Sequence, residues 1–240
     1  MTPPNRLAAI TTALLVGGLG TRLRPLVADR PKVLAEVNGR PMLSYLLDQL
    51  ARAGVRRAVL CTGYLGEQVL AAFGPGYNLL KLEYSHEPAP LGTAGALRRA
   101  LPMLQSDPVL VLNGDSMCKA DLNAFYAWHC QRGASASLLL VAAPDAARYG
   151  QVQTNADGKV LGFEEKGAVT GPGWINAGIY LLNQACIKAI PADRPVSIER
   201  EMFPAWIGQN LHGYQSQGRF LDIGTPDSYA EAARFFGEPD

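Results

Sequence analysis

Leu14-Leu15-Val16-Gly17-Gly18-Leu19-Gly20-Thr21-Arg22-Leu23-Arg24-Pro25, followed by Arg30-Pro31-Lys32, is the stretch that decides the fold. The apolar run Ala13 to Val16 reads as a buried strand, and it leads straight into Gly17, Gly18 and Gly20. Glycine is needed where the backbone turns with positive φ, or where a bulky ligand lies directly against main-chain N–H groups. Arg22, Arg24 and Lys32 follow within a dozen positions. Backbone donors and fixed cations at the end of a strand suit a polyphosphate. An ordinary tight turn with a solvated basic flank is the simpler alternative, and the coincidence of glycine and cation clusters weighs against it.

Spacing narrows the phosphate motif. A dinucleotide fingerprint needs glycine three places after Gly20, where Leu23 stands. A P-loop needs Gly-Lys after four intervening residues, and counting from Gly17 or Gly18 gives Arg22-Leu23 or Leu23-Arg24. What remains is G-G-x-G-T-R-L, then P-K.

Outward from this stretch the chain alternates. Pro41 to Ala53 has a helical apolar period opened by proline and closed by Gly54. Arg57 to Thr62 reads as a strand, Tyr64 to Phe73 as a helix stopped by Gly74, and Leu79 to Ser85 as a strand. Thr93 is placed to cap a helix running to Leu104, and Pro108 to Leu112 is an apolar strand ending at Asn113-Gly114-Asp115. This βαβαβαβ rhythm predicts an α/β fold: a doubly wound, mostly parallel, Rossmann-like sheet with helices on both faces.

The second half is less regular. A helix near Ala120 to Arg132 precedes a strand at Ala136 to Ala142, and Gly150 to Thr154 with Lys159 to Glu165 read as a hairpin around Asn155-Ala156-Asp157-Gly158. Trp174 to Leu182 is a strand, Ser197 to Trp206 a helix capped by Ser197, and Leu211 to Gln217 a strand. Phe220-Leu221-Asp222-Ile223-Gly224-Thr225-Pro226 ends a strand in a glycine turn before a last helix to Phe236. One domain over 1–240 is expected, with a regular first half (about 12–118) and an irregular second lobe (about 119–240).

The 48% hydrophobic and 18% charged residues are those of a soluble globular protein. With 22 basic and 21 acidic residues, neither a nucleic-acid nor a membrane-surface partner is expected. No apolar run reaches transmembrane length and no signal peptide is legible, so the cytoplasm is the expected location. Cys61, Cys118, Cys130 and Cys186 lack metal spacing and read as free thiols. His129 and His86 read as structural and solvated respectively, Arg98-Arg99 as an exposed helix face, and no nucleophile–histidine relay is evident. The sequence does not fix an oligomeric state, and a homo-oligomer is compatible with it.

Asp115 follows a glycine at the carboxyl end of a buried strand, where open α/β sheets bind ligands. A turn aspartate capping the next helix is the alternative. Asp222 repeats the arrangement, and two such carboxylates on one phosphate group would make a Mg²⁺ site, should they converge. Glu87-Pro88-Ala89-Pro90-Leu91-Gly92-Thr93-Ala94-Gly95 is a second glycine turn, expected to expose N–H groups at a helix start.

In order, these motifs resemble the sugar-1-phosphate nucleotidyltransferases, or nucleotide-sugar pyrophosphorylases, over roughly Ala13 to Phe236. Within that family Leu-Val-Gly-Gly-Leu-Gly-Thr-Arg-Leu, Ser44-Tyr45-Leu46, Thr62-Gly63-Tyr64-Leu65, Leu112-Asn113-Gly114-Asp115-Ser116 and the Asp222 segment look most like the D-glycero-α-D-manno-heptose-1-phosphate guanylyltransferases. The resemblance implies GTP and heptose 1-phosphate as substrates, Mg²⁺ as cofactor, and Asp115 and Asp222 as its ligands. It implies catalytic roles for Arg22, Lys32, Asp115 and Asp222. Leu15, Gly17, Gly18, Gly20, Thr21, Glu87, Gly92, Thr93 and Gly95 would contact nucleotide, with Glu87 facing the base. Tyr149, Gly150, Glu164, Lys166, Asn176 and Gly178 would contact the sugar phosphate, Glu164-Glu165-Lys166 matching the family's acid–lysine motif. Val33 and Leu34 in place of the commoner Pro with Met or Leu, and Ala94 for a second glycine, depart from the pattern without removing a charge.

Three functions follow as expectations. The first is guanylyl transfer from GTP to the heptose phosphate. The second is transfer to mannose 1-phosphate, or uridylyl transfer to N-acetylmuramate 1-phosphate. The third is a silent nucleotide-sugar sensor, disfavoured because Arg22, Lys32, Asp115, Lys166 and Asp222 are all retained.

Overall fold

A computed structural model describes residues 6–18, 20, 23, 27, 29–164, 167 and 170–238. The expectations placed on Thr21, Arg22, Glu165 and Lys166 lie outside the described residues. In chain order the strands are β1 (Thr11–Leu15), β2 (Glu36–Val37), β3 (Arg40–Pro41), β4 (Arg57–Thr62), β5 (Gly76–Tyr77), β6 (Leu80–His86) and β7 (Val109–Asn113). They continue as β8 (Ser116–Cys118), β9 (Ala136–Ala143), β10 (Gln151–Thr154), β11 (Val160–Glu164), β12 (Gly173–Leu182), β13 (Leu211–Ser216) and β14 (Phe220–Asp222). The helices are α1 (Met42–Arg52), α2 (Gly66–Phe73), α3 (Gly92–Ala100), α4 (Leu122–Arg132), α5 (Gln184–Lys188), α6 (Phe203–Trp206) and α7 (Pro226–Gly237).

Among the described residues the main sheet has eight strands in the order β13-β9-β12-β7-β1-β4-β6-β5. β7, β1, β4 and β6 run parallel, as the alternating pattern predicts. β12 enters antiparallel between β7 and β9, and β13 pairs parallel with β9. The strand order reverses at β1: β4 and β6 add on one side and β7 on the other. A crevice must open between the carboxyl ends of β1 and β7, where such sheets bind ligands.

Because side chains alternate along a strand, the buried residues divide into two cores, one per face. Leu14, Leu60, Leu110, Leu112, Leu139 and Leu181 face α1, α2, α4 and α7, while Ala13, Val59, Val111, Leu138, Leu140 and Tyr180 face α3, α5 and α6. Each fully buried leucine contributes about 1.5–3 kcal/mol relative to exposure, so a polar substitution on either face acts on the whole sheet.

Element ends depart from the sequence reading where side-chain chemistry overrides pattern. β1 begins at Thr11, its two threonines buried in the sheet, and Val16 still donates to the Cys61 carbonyl at 3.0 Å. Thr93 does not cap α3: Leu91 holds the cap position, and the Val196 carbonyl accepts from Ala94 and Gly95 at 3.0 and 3.4 Å. The expected exposed N–H groups of Ala94 and Gly95 are therefore already bonded. Pro102, without an N–H, turns the predicted helix to Leu104 into a 3₁₀ turn at Leu101–Met103. Ser197 does accept from Arg200 N, at the head of a π-helical turn, Ile198–Met202, that precedes α6. The α4 cap is Asp121, not Asp115.

Gly92 has φ +73°, and a Cβ there would lie 2.5 Å from the Val196 carbonyl oxygen. Gly92→Ala is expected to cost about 2–4 kcal/mol, a fall in Tm on the order of 5–10 °C. A thermal melt of the variant checks this, and an unchanged Tm contradicts the packing described.

Candidate active site

The loop after β1 carries the glycines into the crevice between β1 and β7. A cavity of about 400 Å³ opens there, walled by Leu15, Val16, Gly17, Gly18, Gly20, Lys32, Val33, Cys61, Glu87, Pro90, Gly92, Thr93, Ala96, Asn113, Asp115, Glu199 and Gly224. The glycines do different work. A Cβ on Gly17 would lie 2.9 Å from both Glu87 Oε1 and the Gly63 nitrogen, so this glycine is required by the chain's own packing. A Cβ on Gly18 would meet none of the described residues within 4 Å: beside it lies the cavity, from which a ligand can press against the backbone. Gly20 has φ +57° and lies against the Lys32 side chain.

Asp115 and Asp222 are brought together by a short ladder. β8 pairs antiparallel with β14, setting Ser116 opposite Asp222, and the Ile223 N–H donates to the Asp115 carbonyl at 3.1 Å. The two carboxylates converge on one ammonium: Lys32 Nζ lies 2.9 Å from Asp115 Oδ2 and 3.9 Å from Asp222 Oδ1. The Lys32 side chain is 9% exposed and that of Asp115 44%, so the cation is held inside while the Asp115 carboxylate opens to the cavity. Asp222 Oδ1 also accepts from the Gly224 N–H at 2.7 Å. Gly114 is close-packed, with a Cβ position 2.8 Å from the Leu15 carbonyl, which locks the Asp115 turn onto β1.

Glu87 enters from the carboxyl end of β6. Its Oε2 accepts from the Leu91 N–H at 3.1 Å, and its backbone N–H donates to the Thr62 carbonyl. Burial pushes the Glu87 carboxyl above its ordinary value, against the Leu91 hydrogen bond and the charges of His86 and Arg99. Cys61 lies beneath it, and burial chiefly, with the Glu87 charge second, pushes its thiol up to about 12. An uncharged, buried thiol of this kind is a piece of cavity wall.

Tyr149, Gly150, Glu164, Asn176 and Gly178, expected to hold sugar phosphate, sit outside this cavity wall. Asn176 donates from Nδ2 to the Tyr180 hydroxyl at 3.0 Å and accepts at Oδ1 from Gly178 N at 2.9 Å, where the β12 register shifts. Gly178 has φ +73°, and a Cβ there would lie 2.7 Å from Ser116 Oγ and 3.0 Å from Asn113 Nδ2. That contact ties the β12 turn to the Asn113–Ser116 segment. Tyr149 packs edge-on to Phe220; burial raises its phenol, opposed by Arg148 and reinforced by the Asp222 charge. Gly150 turns at φ +80°, and Glu164 ends β11, accepting from Gln153 at 2.9 Å. Gly95 is buried against Leu91 rather than on the cavity wall.

Glu199 and Asn113 line the cavity and were not singled out from sequence as ligand contacts. The sequence marks Asn113 only as part of the Asn-Gly-Asp turn. Glu199 lay within a predicted helix, and no periodicity marks one acid of that helix as inward-facing. His129 is buried, its Nδ1 2.8 Å from Ser137 Oγ, and burial lowers its proton affinity, which fits a structural role. All four cysteines are free thiols. No helix among the described residues is long and apolar enough to cross a membrane.

The oxygen set suits a hard divalent cation. Mg²⁺ is commonly bound by one or two carboxylates with substrate phosphates completing the shell. Asp115 and Asp222 already face a common cation in Lys32, and no cluster of three or more His, Cys, Asp or Glu is found among the described residues. The site thus offers two carboxylates and leaves the remaining positions to a ligand.

The "Nucleotidyl transferase" family profile matches residues 11–238. The chain is 36% identical over 228 residues to a mannose-1-phosphate guanylyltransferase of Mycobacterium tuberculosis, covering 93% of this chain and 64% of that protein. It is 34% identical over 222 residues to a D-glycero-alpha-D-manno-heptose 1-phosphate guanylyltransferase of Aneurinibacillus thermoaerophilus, covering 92% and 96%. The chain therefore spans less than two thirds of the mycobacterial protein and nearly all of the second. The crystal structure of HddC from Yersinia pseudotuberculosis superposes with a TM-score of 0.84 at 31% identity, over 95% of this chain and 99% of that one. HddC complexed with GMP-PN gives 0.83 at 29%, over the same shares. With fold, crevice and profile in agreement over nearly its whole length, this chain belongs to the nucleotidyl transferase family.

Proposed function

We propose that the chain transfers a guanylyl group from GTP to a sugar 1-phosphate, with D-glycero-α-D-manno-heptose 1-phosphate as the favoured acceptor. The observation that carries this reading is the Lys32 ammonium, gripped by Asp115 and Asp222, in the wall of a glycine-lined cavity at the strand switch point. That is a charge-handling centre for phosphates, built into a crevice large enough for a nucleotide.

The sugar phosphate oxygen attacks the α-phosphorus in line, an O–P bond forms, and the bond to the leaving pyrophosphate breaks. A phosphate monoester has a second pKa of about 6, so the nucleophile is already an anion near neutral pH and needs no general base. The difficulty is bringing two polyanions together and stabilising charge on the leaving group. Asp115 and Asp222 are the residues that would hold Mg²⁺, which when bound supplies charge neutralisation along the triphosphate. Lys32 neutralises phosphate charge from the inner side. The open space at Gly18 lets the phosphates approach the backbone. Arg22 and Lys166 are assigned to the triphosphate and the sugar phosphate by family resemblance.

Glu87 supports guanine as the base. Guanine presents an N1–H and an N2–H₂ side by side, and an ionised carboxylate, which only accepts, can take both. Glu87→Gln puts an amide donor against one of them. The expected result is a fall of about 10–100-fold in kcat/KM for GTP with little change for UTP. Equal losses for both nucleotides would remove Glu87 from base recognition.

Mannose 1-phosphate is the second reading, favoured by the 36% identity to the mycobacterial enzyme. The heptose reading is supported by the motif set and by the 34% identical relative. Comparing kcat/KM for the two sugar phosphates with GTP decides between them: a ratio above about tenfold for heptose is expected, and a ratio favouring mannose overturns the assignment.

A further inference from the structure

Glu199 is the third carboxylate of the cavity wall, beside Glu87 and Asp115. It stands on the π-helical turn Ile198–Met202 and is held from behind by hydroxyls. Thr93 Oγ1 donates to Oε2 at 2.8 Å, Ser197 Oγ donates to the same oxygen at 3.2 Å, and the Tyr180 hydroxyl donates to Oε1 at 3.5 Å. Thr93 is in turn fixed by the Ile198 N–H at 2.8 Å. This anchoring is unlike that of the surface acids: Glu201, two residues on, pairs with Arg194 at 2.6 Å, and Glu238 pairs with Arg219 and Arg234. No ion pair among the described residues ends on Glu199 within 4 Å.

A carboxylate fixed in this way presents its remaining acceptor capacity to the cavity, and the nature of a partner follows from its charge. A phosphate is repelled. A group rich in O–H donors is attracted, and a vicinal diol can bridge both oxygens in charge-assisted hydrogen bonds. We propose that Glu199 is a specificity residue that accepts hydroxyl donors of a bound substrate, the partner being a diol of either the nucleotide ribose or the acceptor sugar. The proposal rests on the guanylyl-transfer reading for the identity of those substrates. The same carboxylate fixes the direction of its network. With Glu199 accepting, Tyr180 must donate to it, so Asn176 turns its Nδ2 to the Tyr180 oxygen and its Oδ1 to Gly178.

Glu199→Gln preserves size and one acceptor oxygen and removes the charge. Wild type and variant, both checked by thermal melting, are assayed with GTP, 2′-deoxy-GTP and 3′-deoxy-GTP, and with sugar 1-phosphates lacking one ring hydroxyl. The variant is expected to lose about tenfold in kcat/KM with the intact pair, mostly through KM. That loss shrinks to within about twofold with the substrate lacking the partner hydroxyl, as a double-mutant cycle requires. Collapse in the nucleotide arm assigns ribose; collapse in the sugar arm assigns the acceptor. An equal loss with every deoxy substrate, or a loss below twofold with the intact pair, overturns the proposal. Calorimetric titration of each nucleotide and each sugar phosphate into both proteins reads the same contrast without turnover. Failure of the guanylyl reading therefore remains distinct from failure of the Glu199 assignment.

Discussion

Asp115→Asn is expected to lower the rate of the pyrophosphate release proposed above about a thousandfold while leaving the fold intact. Its carboxylate is 44% exposed and opens to the cavity, so little packing is lost. Its main-chain carbonyl, which accepts from Ile223 and locks the β8–β14 ladder, is unaffected by the change. What disappears is one of two oxygen anions facing the Lys32 ammonium, and with it half of the carboxylate set that suits Mg²⁺. Removing one preorganised charge of this kind from a reacting centre costs about 10²–10³ in rate, and more where a metal ligand is also lost. Stability is expected to change by less than about 1 kcal/mol. Steady-state pyrophosphate release with a parallel melt checks both. Turnover within tenfold of wild type would take Asp115 out of the centre.

Lys32→Met is the second large effect, and it tests the opposite charge. Nζ lies within 4 Å of both Asp115 and Asp222 on a side chain only 9% exposed, so its removal takes away the ammonium that the two carboxylates share. Methionine fills most of the same volume, which isolates the charge from the packing. One ammonium against two carboxylates leaves one negative charge; without Lys32 there are two, and a triphosphate meets more repulsion. Turnover is expected to fall about 10²–10³-fold, with a steeper dependence on Mg²⁺ concentration as the ion takes over neutralisation. Lys32→Arg recovers only part of the loss, because a planar guanidinium does not reproduce a compact ammonium between two carboxylates. A Met variant within tenfold of wild type across the Mg²⁺ range contradicts the role assigned to Lys32.

Much of the fold was legible because the signals were local. The βα alternation from Leu14 to Leu112 carried the parallel sheet, and Gly74 and Pro41 ended or opened helices where their backbone preferences dictate. Less of the site was legible, because it is made by contacts distant in sequence. That Asp115 and Asp222 converge depends on the pairing of Ser116 with Asp222, which no spacing announces. The start of α3 looked like a set of free N–H donors until the Val196 carbonyl, about a hundred residues on, took two of them. Glu199 was hidden for a related reason: its inward direction comes from a π-helical turn and from Thr93, not from an apolar period. Lys32 was expected on phosphate, and the structure adds its grip on two carboxylates, a pairing that only the folded chain brings within 4 Å.

The most direct test of the account is pyrophosphate release by the wild-type protein with Mg²⁺, crossing GTP, UTP, CTP, ATP and dTTP against heptose, mannose, glucose and N-acetylmuramate 1-phosphates. Guanylyl transfer predicts release with GTP and a manno-configured sugar phosphate, at least tenfold above every other nucleotide. Release led by UTP or another nucleotide, or binding of a nucleotide sugar without release from any pair, would contradict it.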